Sequence, residues 1–410
     1  MSKFQRWQSK IFVKALKTRR VVIIGGARQC GKTTVSKPMG AAPGAMYRTL
    51  DDYLLLDIAK TDPQEFVKHS GHLMIIDEVQ KAVELLPAIK MRVDEDNRPG
   101  QYLLTGSAHI QSLPSVTESL AGRIREVPLR PLSQGEILGH EPNFLDGAFE
   151  QKFYQHKNTL SRDDIIEIAM RGGYPEVLQL PNDERELWHQ QYIDILLDRD
   201  LKEIINIRRR DAMEKLVRVT CAWSTKPMDI TAIGSGLSLQ RRTVESYINA
   251  LETLYLIDHI PAFAKTDYDR VGRQSKLIMN DSGFMSSVLR WRMDDVRFDG
   301  DRVGKLLETH VGNELQKHID TTEDKCILYH YRDREKREID FLIEGYHGDL
   351  LGIEVKASTT PGNEDFKHLR WFKENLTPKG KKFTGIVLYT GNHIGSFGGG
   401  MWAVPISCLY

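Results

Sequence analysis

"VVIIGGARQCGKTT", Val21–Thr34, decides how the first third of this chain folds. Four β-branched residues in a row predict a buried strand. Directly behind them, Gly26–Thr33 matches G-x-x-x-x-G-K-[ST], and a helix is expected from Lys32. Strand, glycine-rich turn and helix together form the setting in which this pattern cradles phosphate. The glycines let the backbone wrap an anion, and the N–H groups of Gly26, Ala27, Arg28, Gln29, Cys30, Gly31, Lys32, Thr33 and Thr34 are the expected contacts. The helix N-terminus adds partial positive charge. Lys32 is expected to reach the β- and γ-phosphates, and Thr33 to ligate magnesium.

Downstream stretches supply the matching parts. "LMIIDEVQ", Leu73–Gln80, is a second buried strand ending in two acids. Asp77 is expected to hold Mg2+ through its water shell and Glu78 to polarise an attacking water. "YLLTGSA", Tyr102–Ala108, is a third strand, whose Thr105 or Ser107 would sense the γ-phosphate or position the water. Arg123 follows an Ala-Gly turn and would reach a phosphate, that of a neighbouring subunit included; the alternative is a surface or ion-paired arginine. Strands separated by helical stretches indicate a parallel α/β sheet up to about residue 135.

Charge is unevenly spread. Net charge is only +1, yet residues 1–50 hold eleven Lys or Arg and no acid before Asp51. So one-sided a segment suits polyanions, an acidic neighbouring subunit, or simply a solvated amphipathic helix; residues 4–16 show helical apolar spacing. Cys30, Cys221, Cys326 and Cys408 form no CxxC pair and no zinc spacing, which fits free thiols in a reducing, cytoplasmic setting. No apolar run approaches the ~20 residues of a membrane span, and the N-terminus does not read as a signal peptide.

The order GGARQCGKTT, IIDEVQ, LLTGSA, SLAGR and PLS-x-x-E resembles the AAA+ ATPases. More narrowly, with "RGGYPEVL" (Arg171–Leu178), "YIDILLDRDLKEI" (Tyr192–Ile204) and "GKLLETHVGNEL" (Gly304–Leu315), the chain resembles prokaryotic ATPases whose C-terminal half is an uncharacterised domain related to restriction endonucleases. The resemblance implies ATP as the nucleotide, Mg2+ as its ion, Walker A and Walker B roles for the loop and for Asp77, and a homo-oligomeric ring, usually a hexamer. It also implies a helical lid at 136–210, from which Arg171 would contact phosphate or serve structural pairing.

Residues 211–282 read as a winged-helix unit. In "DITAIGSGLSLQRRTVESYINALETLYLI", Ile230 and Ile233 face inward, Gly234 and Gly236 break the pattern, and Val244, Ile248, Leu251 and Leu254 form an apolar stripe. Gln240, Arg241, Arg242 and Thr243 would face DNA, with "LIDHIPAF" and "KLIMND" as wing strands. Packing between subunits is the other use of such a unit.

The last segment, 283–410, reads as a small α/β domain of restriction-endonuclease-like type. Asp340 starts the strand in "REIDFLI", and "LLGIEVKAS" follows with Glu354 and Lys356 on one strand face. Two carboxylates can hold a hydrated Mg2+ and lysine can orient the attacking water, the PD-(D/E)xK arrangement. By resemblance, Glu314 on the preceding helix would be a further ligand. Whether the arrangement cuts stays open; a nucleic-acid-binding or oligomerising module is the alternative.

The expected fold is therefore α/β: an AAA+ P-loop ATPase core (1–135), a helical lid (136–210), a winged-helix-like unit (211–282) and a restriction-endonuclease-like domain (283–410). The expected function is ATP hydrolysis driving the binding or remodelling of duplex or branched DNA, with metal-dependent cleavage undecided. The alternative is a nucleotide-gated switch acting on a protein partner.

Overall fold

The computed structural model describes residues 4–69, 71–107, 122–154, 159–201, 210–237, 239–266, 273–322 and 325–410. The chain divides into two compact units. The first comprises Met1–Leu132 with Leu251–Leu256, the second Ser133–Ala250 with Ile257–Tyr410.

In the first unit, α1 (Ser9–Thr18) precedes β1 (Val21–Gly25) and α2 (Lys32–Met39). Then come β2 (Ala45–Thr49), α3 (Tyr53–Thr61), α4 (Pro63–Phe66), β3 (Leu73–Asp77), α5 (Leu85–Glu95), β4 (Tyr102–Gly106) and β5 (Ile124–Pro128). All pairings are parallel, and the five strands lie in the order β2-β3-β4-β1-β5. β1 and β4 are buried along their whole length, as central strands covered on both faces must be. This is the parallel α/β sheet expected from the sequence, with its strand ends at Gly25, Asp77 and Gly106 on the same side.

The first helix departs from expectation. Helical spacing suggested residues 4–16, but α1 starts at Ser9. The preceding turn is tied down because the buried Arg6 guanidinium donates to the carbonyls of Cys30 (2.8 Å) and Arg130 (2.6 Å). Part of the basic N-terminus thus serves an internal bond.

The second unit opens with α6 (Gln134–Leu138), α7 (Phe144–Glu150), α8 (Arg162–Arg171) and α9 (Asn182–Ile195). A further group is α10 (Arg210–Trp223), α11 (Ile230–Gly234) and α12 (Arg241–Thr253), the last turn of which belongs to the first unit. Ile233, Val244 and Ile248 are buried, whereas Ile230 is only half-buried. β6 (Ile257–Ile260) pairs antiparallel with β7 (Lys276–Met279). After α13 (Ser282–Val288), α14 (Met293–Phe298) and the long α15 (Gly300–Ile319) come β8 (Ile327–Arg332), β9 (Glu338–Glu344) and β10 (Leu350–Lys356). α16 (Lys367–Leu376), β11 (Phe383–Tyr389), β12 (Gly395–Ser396) and β13 (Met401–Pro405) complete the unit. The six-stranded sheet has the order β12-β13-β11-β10-β9-β8 and mixed direction: β8, β9 and β10 run antiparallel to one another, while β10-β11 and β11-β13 are parallel. α15 and α16 pack on it, and Phe341, Phe366, Leu369, Phe372 and Val387 fill its core.

Candidate functional site

The loop between β1 and α2 is shaped by backbone geometry that few residues allow. Gly31 takes φ +102° immediately before the helix. A Cβ on Gly26 would lie 2.1 Å from the Leu129 carbonyl oxygen, so only glycine fits where the loop leaves the strand. Gln29 sits at φ 63°, and Cys30 is fully buried beneath the loop. Lys32 is buried too, its ammonium donating to the carbonyls of Gly26 and Ala27 at 2.9 Å each. Thr33 and Thr34 are exposed on the first turn of α2.

Asp77, at the end of β3, is the hub. Its Oδ2 accepts from Thr33 Oγ1 at 3.0 Å and from the Tyr47 hydroxyl at 2.7 Å; its Oδ1 accepts from Thr105 Oγ1. Burial, then Asp77, push the Tyr47 phenol well above the ordinary tyrosine range, so it stays a donor. Glu78 follows at φ 61°, a left-handed conformation that non-glycine residues adopt only when surroundings enforce it. Its N–H donates to Thr105 Oγ1 at 3.1 Å, and its half-buried carboxylate accepts from Gln80 Nε2, which also donates to Ser107 at 3.0 Å. Thr105 is fully buried: it fixes Asp77 and Glu78 and does not face outward as a direct phosphate sensor.

Tyr47, Gln80 and Arg6 were missed by sequence reasoning. Tyr47 and Gln80 lie in ordinary strand and turn sequence, and only the sheet order brings Tyr47 beside Asp77. Tyr255 is another such residue. Its hydroxyl donates to Glu126 Oε1 at 2.5 Å, and a Cβ on Gly25 would collide with it at 2.0 Å. The strand end that opens the phosphate loop is thus packed against the segment following α12.

Within its own chain, Arg123 takes the ion-paired alternative. Its neighbour Ile124 pairs with Val21, the first residue of β1, whereas the phosphate loop follows the last, Gly25. Four strand steps, roughly 13 Å, separate the two ends. The guanidinium is engaged by Asp94 through Nη2 (2.9 Å) and Nε, and this holds the Asp94 carboxyl below its usual range. The structure does not bring Arg123 to the loop of its own chain. Arg171 donates to Gln134 Oε1 at 3.0 Å, a structural pairing inside the second unit.

The second candidate centre lies on the mixed sheet. β9 and β10 pair antiparallel as far as Ile353–Phe341, so Glu354 comes next across from Asp340. Asp340 Oδ2 accepts from the Val355 N–H at 2.8 Å, and Lys356 donates to Glu354 Oε2 at 3.0 Å. Asp340, Glu354 and Lys356 are therefore brought together. Glu314 is not. It is fully buried elsewhere, accepting from the Gln134 N–H and Lys317, each at 2.9 Å. The acid of α15 that faces Asp340 is Glu308. At ~100° per residue, the six-residue step from 308 to 314 turns the side chain about 120° away. Both acids sit in the same motif, and the facing one could have been found from that helical phase.

Glu308 is bound by a lysine no sequence motif suggested. Lys276, from β7 and fully buried, donates to Glu308 Oε1 at 2.7 Å and to the Asp340 carbonyl at 3.1 Å, with Glu338 at 3.8 Å. Burial pushes the Glu308 and Glu354 carboxyls above their usual range, and nearby Asp340 pushes them further. Burial by itself would lower the Lys276 ammonium, but Glu308 and Asp340 outweigh it and hold the group above the usual lysine range. Among the described residues, no group of three His, Cys, Asp or Glu is placed to hold a metal ion.

At the first turn of α12, Gln240, Arg241 and Arg242 are exposed and Thr243 half-buried; Arg241 pairs with Glu245 at 2.8 Å.

Residues 18–138 match the family model described as "AAA domain". Residues 162–295 and 303–409 match two models described as domains of unknown function, DUF8612 and DUF4143. The match supports a P-loop ATPase of AAA type in the first unit. Uncharacterized proteins of Mycobacterium tuberculosis and Mycobacterium bovis are each 25% identical over 351 residues, covering 85% of this chain and 73% of theirs. A Walker-type ATPase of Pyrococcus abyssi is similar at 14% identity and TM-score 0.41, over 70% of this chain and 96% of that one. The Thermotoga maritima RuvB Holliday junction branch migration motor is similar at 15% identity and TM-score 0.28, over 63% and 90%. Similarity at that level adds no argument about the work this chain does. No described helix is long and apolar enough to cross a membrane.

Proposed function

We propose that the chain hydrolyses ATP in the β1–α2 loop and uses the cycle to bind and remodel duplex or branched DNA as a homo-oligomeric ring in the cytoplasm. The observation that carries the ATPase part is the hydroxyl-lined carboxylate of Asp77, in contact with Thr33 at the head of α2 and beside Lys32. Hydroxyl and carboxylate oxygens suit a hard cation. Magnesium held by Thr33 and Asp77 supplies neutralisation of charge on the β- and γ-phosphate oxygens. The backbone N–H groups from Gly26 to Thr34 cradle the phosphates, and Lys32 exchanges carbonyl partners for phosphate oxygens. Glu78 accepts the proton of the attacking water, its carboxylate steered by Gln80 and its backbone by Thr105.

The DNA part rests on the exposed polar turn Gln240–Thr243 leading α12, on the β6–β7 pair that follows, and on the basic N-terminus. The division into core, lid, winged-helix-like unit and restriction-endonuclease-like domain belongs to the same proposal. Cleavage is not part of it, because Lys276 occupies the carboxylate cluster.

End-labelled branched DNA, incubated with magnesium with and without ATP and run on native and denaturing gels, tests the reading. Intact strands that separate only with ATP are expected. Shortened strands that vanish in Asp340→Ala would restore the nuclease. ATP turnover indifferent to DNA, with no DNA binding at low salt, would favour the protein-partner switch. Steep loss of DNA affinity with added salt, from counterion release, would favour the motor.

A further inference from the structure

The Lys276 ammonium is bound as a cation would be. Two of its short contacts are oxygens of the kind hard cations choose: a carboxylate, Glu308 Oε1 at 2.7 Å, and a main-chain carbonyl, Asp340 O at 3.1 Å. A third, Glu338 Oε1, stands at 3.8 Å, and the ring of Phe341 lies 5.4 Å from the nitrogen. No part of the side chain reaches solvent. Around it stand four carboxyls, Glu308, Glu338, Asp340 and Glu354, with Lys356 as the other nearby ammonium. One oxygen, Glu354 Oε1, is buried and has no hydrogen-bond partner, although its residue is only 6% exposed. A buried carboxylate oxygen normally finds a donor or a metal. The cluster thus has several carboxyl oxygens, one of them without a hydrogen-bond partner, together with one lysine from a different element in its midst.

We infer that Lys276 takes the place of a divalent cation in the Glu308–Asp340–Glu354 cluster, so that the cluster binds such a cation only once this lysine is removed. The lysine comes from β7, outside the β8–β10 ladder that carries Asp340 and Glu354, so the positive charge is delivered by a separate strand. The two-residue spacing of Glu354 and Lys356 is kept, but the site is closed by an internal counter-ion. The inference does not depend on the ATPase reading.

The test uses the full chain with Asp77→Asn, which disables the magnesium site of the first unit, and follows Mn2+ binding by electron paramagnetic resonance. With Lys276 present, no saturable Mn2+ binding is expected. With Lys276→Met added, saturable binding of one ion per chain should appear, tighter by about tenfold or more because a neighbouring positive charge is gone. It should disappear again with Asp340→Asn. The same ion should raise the melting temperature of the Lys276→Met protein and leave that of the Asp77→Asn parent unchanged. Saturable, Asp340-dependent Mn2+ binding with Lys276 in place would overturn the inference, and that arm needs no Lys276 variant to fold. A folded Lys276→Met protein that binds no Mn2+ would overturn it equally, leaving Lys276 a purely structural ion-pair partner.

Discussion

Each unit carries an aspartate on a strand, buried at Asp77 and half-buried at Asp340, and the acids at the two places are satisfied by different means. Asp77 is held by three neutral hydroxyls, from Thr33, Tyr47 and Thr105. The acids around Asp340 are held by charge, through Lys276 and Lys356. A hydroxyl can give up a carboxylate oxygen to an arriving cation and turn its own oxygen toward the same ion. An ammonium cannot share the position; it must leave. In the first arrangement neutral hydroxyls surround the carboxylate, and in the second a lysine already stands among the acids. Sheet architecture follows the same division. Asp77 ends a parallel strand beside a helix N-terminus, whereas Asp340 lies inside an antiparallel ladder under a long helix.

The largest effect expected is at the hydroxyl-lined centre. Lys32→Ala should reduce ATP turnover to background, measured by phosphate release; retained turnover would break the comparison at its root. Glu78→Gln should slow turnover by about 10²–10⁴ fold while nucleotide binding, read by a fluorescent analogue, persists. Normal turnover would assign the base to another group.

At the charged centre the matching experiment reads stability. Glu308→Ala leaves the buried Lys276 without its short carboxylate contact and should cost about 3–5 kcal/mol in denaturant unfolding. A loss below about 1 kcal/mol, the range of exposed pairs, would mean that this pair is not desolvated as the structure has it.

Acid should act on the second unit through its histidines. Burial pushes His189 and His310 down to about 3, and His318 and His330 down to about 4. Between those values and the ordinary histidine range near 6.5, the unfolded chain binds protons that the folded unit refuses. Stability from these groups is therefore complete above about pH 6.5 and lost as pH falls toward 4. Glu308 and Glu354, raised by burial, act in the opposite sense and weaken the unit as pH rises above the carboxylate range. Four histidines outweigh two glutamates, so a melting temperature for the second unit that rises from pH 4 to a maximum near pH 6.5 is expected; one flat from pH 4 to 7 would contradict the burial of the histidines.

The smallest effect is at the surface. Arg242→Ala should weaken DNA binding and reduce the slope of log affinity against log salt by about 1. An unchanged slope would remove α12 from the DNA contact.

Much of the first unit was legible because its signals are local. A run of β-branched residues, a glycine that must take positive φ before a helix, and an acid pair ending a strand are contiguous in sequence, and their physics needs few distant partners. The same held for Asp340, Glu354 and Lys356, where strand alternation and a hairpin suffice. The acid on α15 was misplaced because two glutamates share one motif and only the helix phase against the sheet separates them. For Arg123 the turn left a phosphate contact and an ion pair both open, and within its own chain the parallel register puts it at the far strand ends, paired with Asp94.

By itself, then, the amino-acid sequence determined a glycine-rich loop between strand and helix, an acid pair ending a strand and an acid–Glu-x-Lys hairpin, since each is written within a few residues of its neighbours. Tertiary structure alone decided that Tyr47 and Arg6 support the loop, that Glu308 and not Glu314 faces Asp340, and that Lys276 pairs with Glu308. Those partners lie tens to hundreds of residues apart in the chain, and a buried charge selects its counter-charge by distance in space, which no local pattern records.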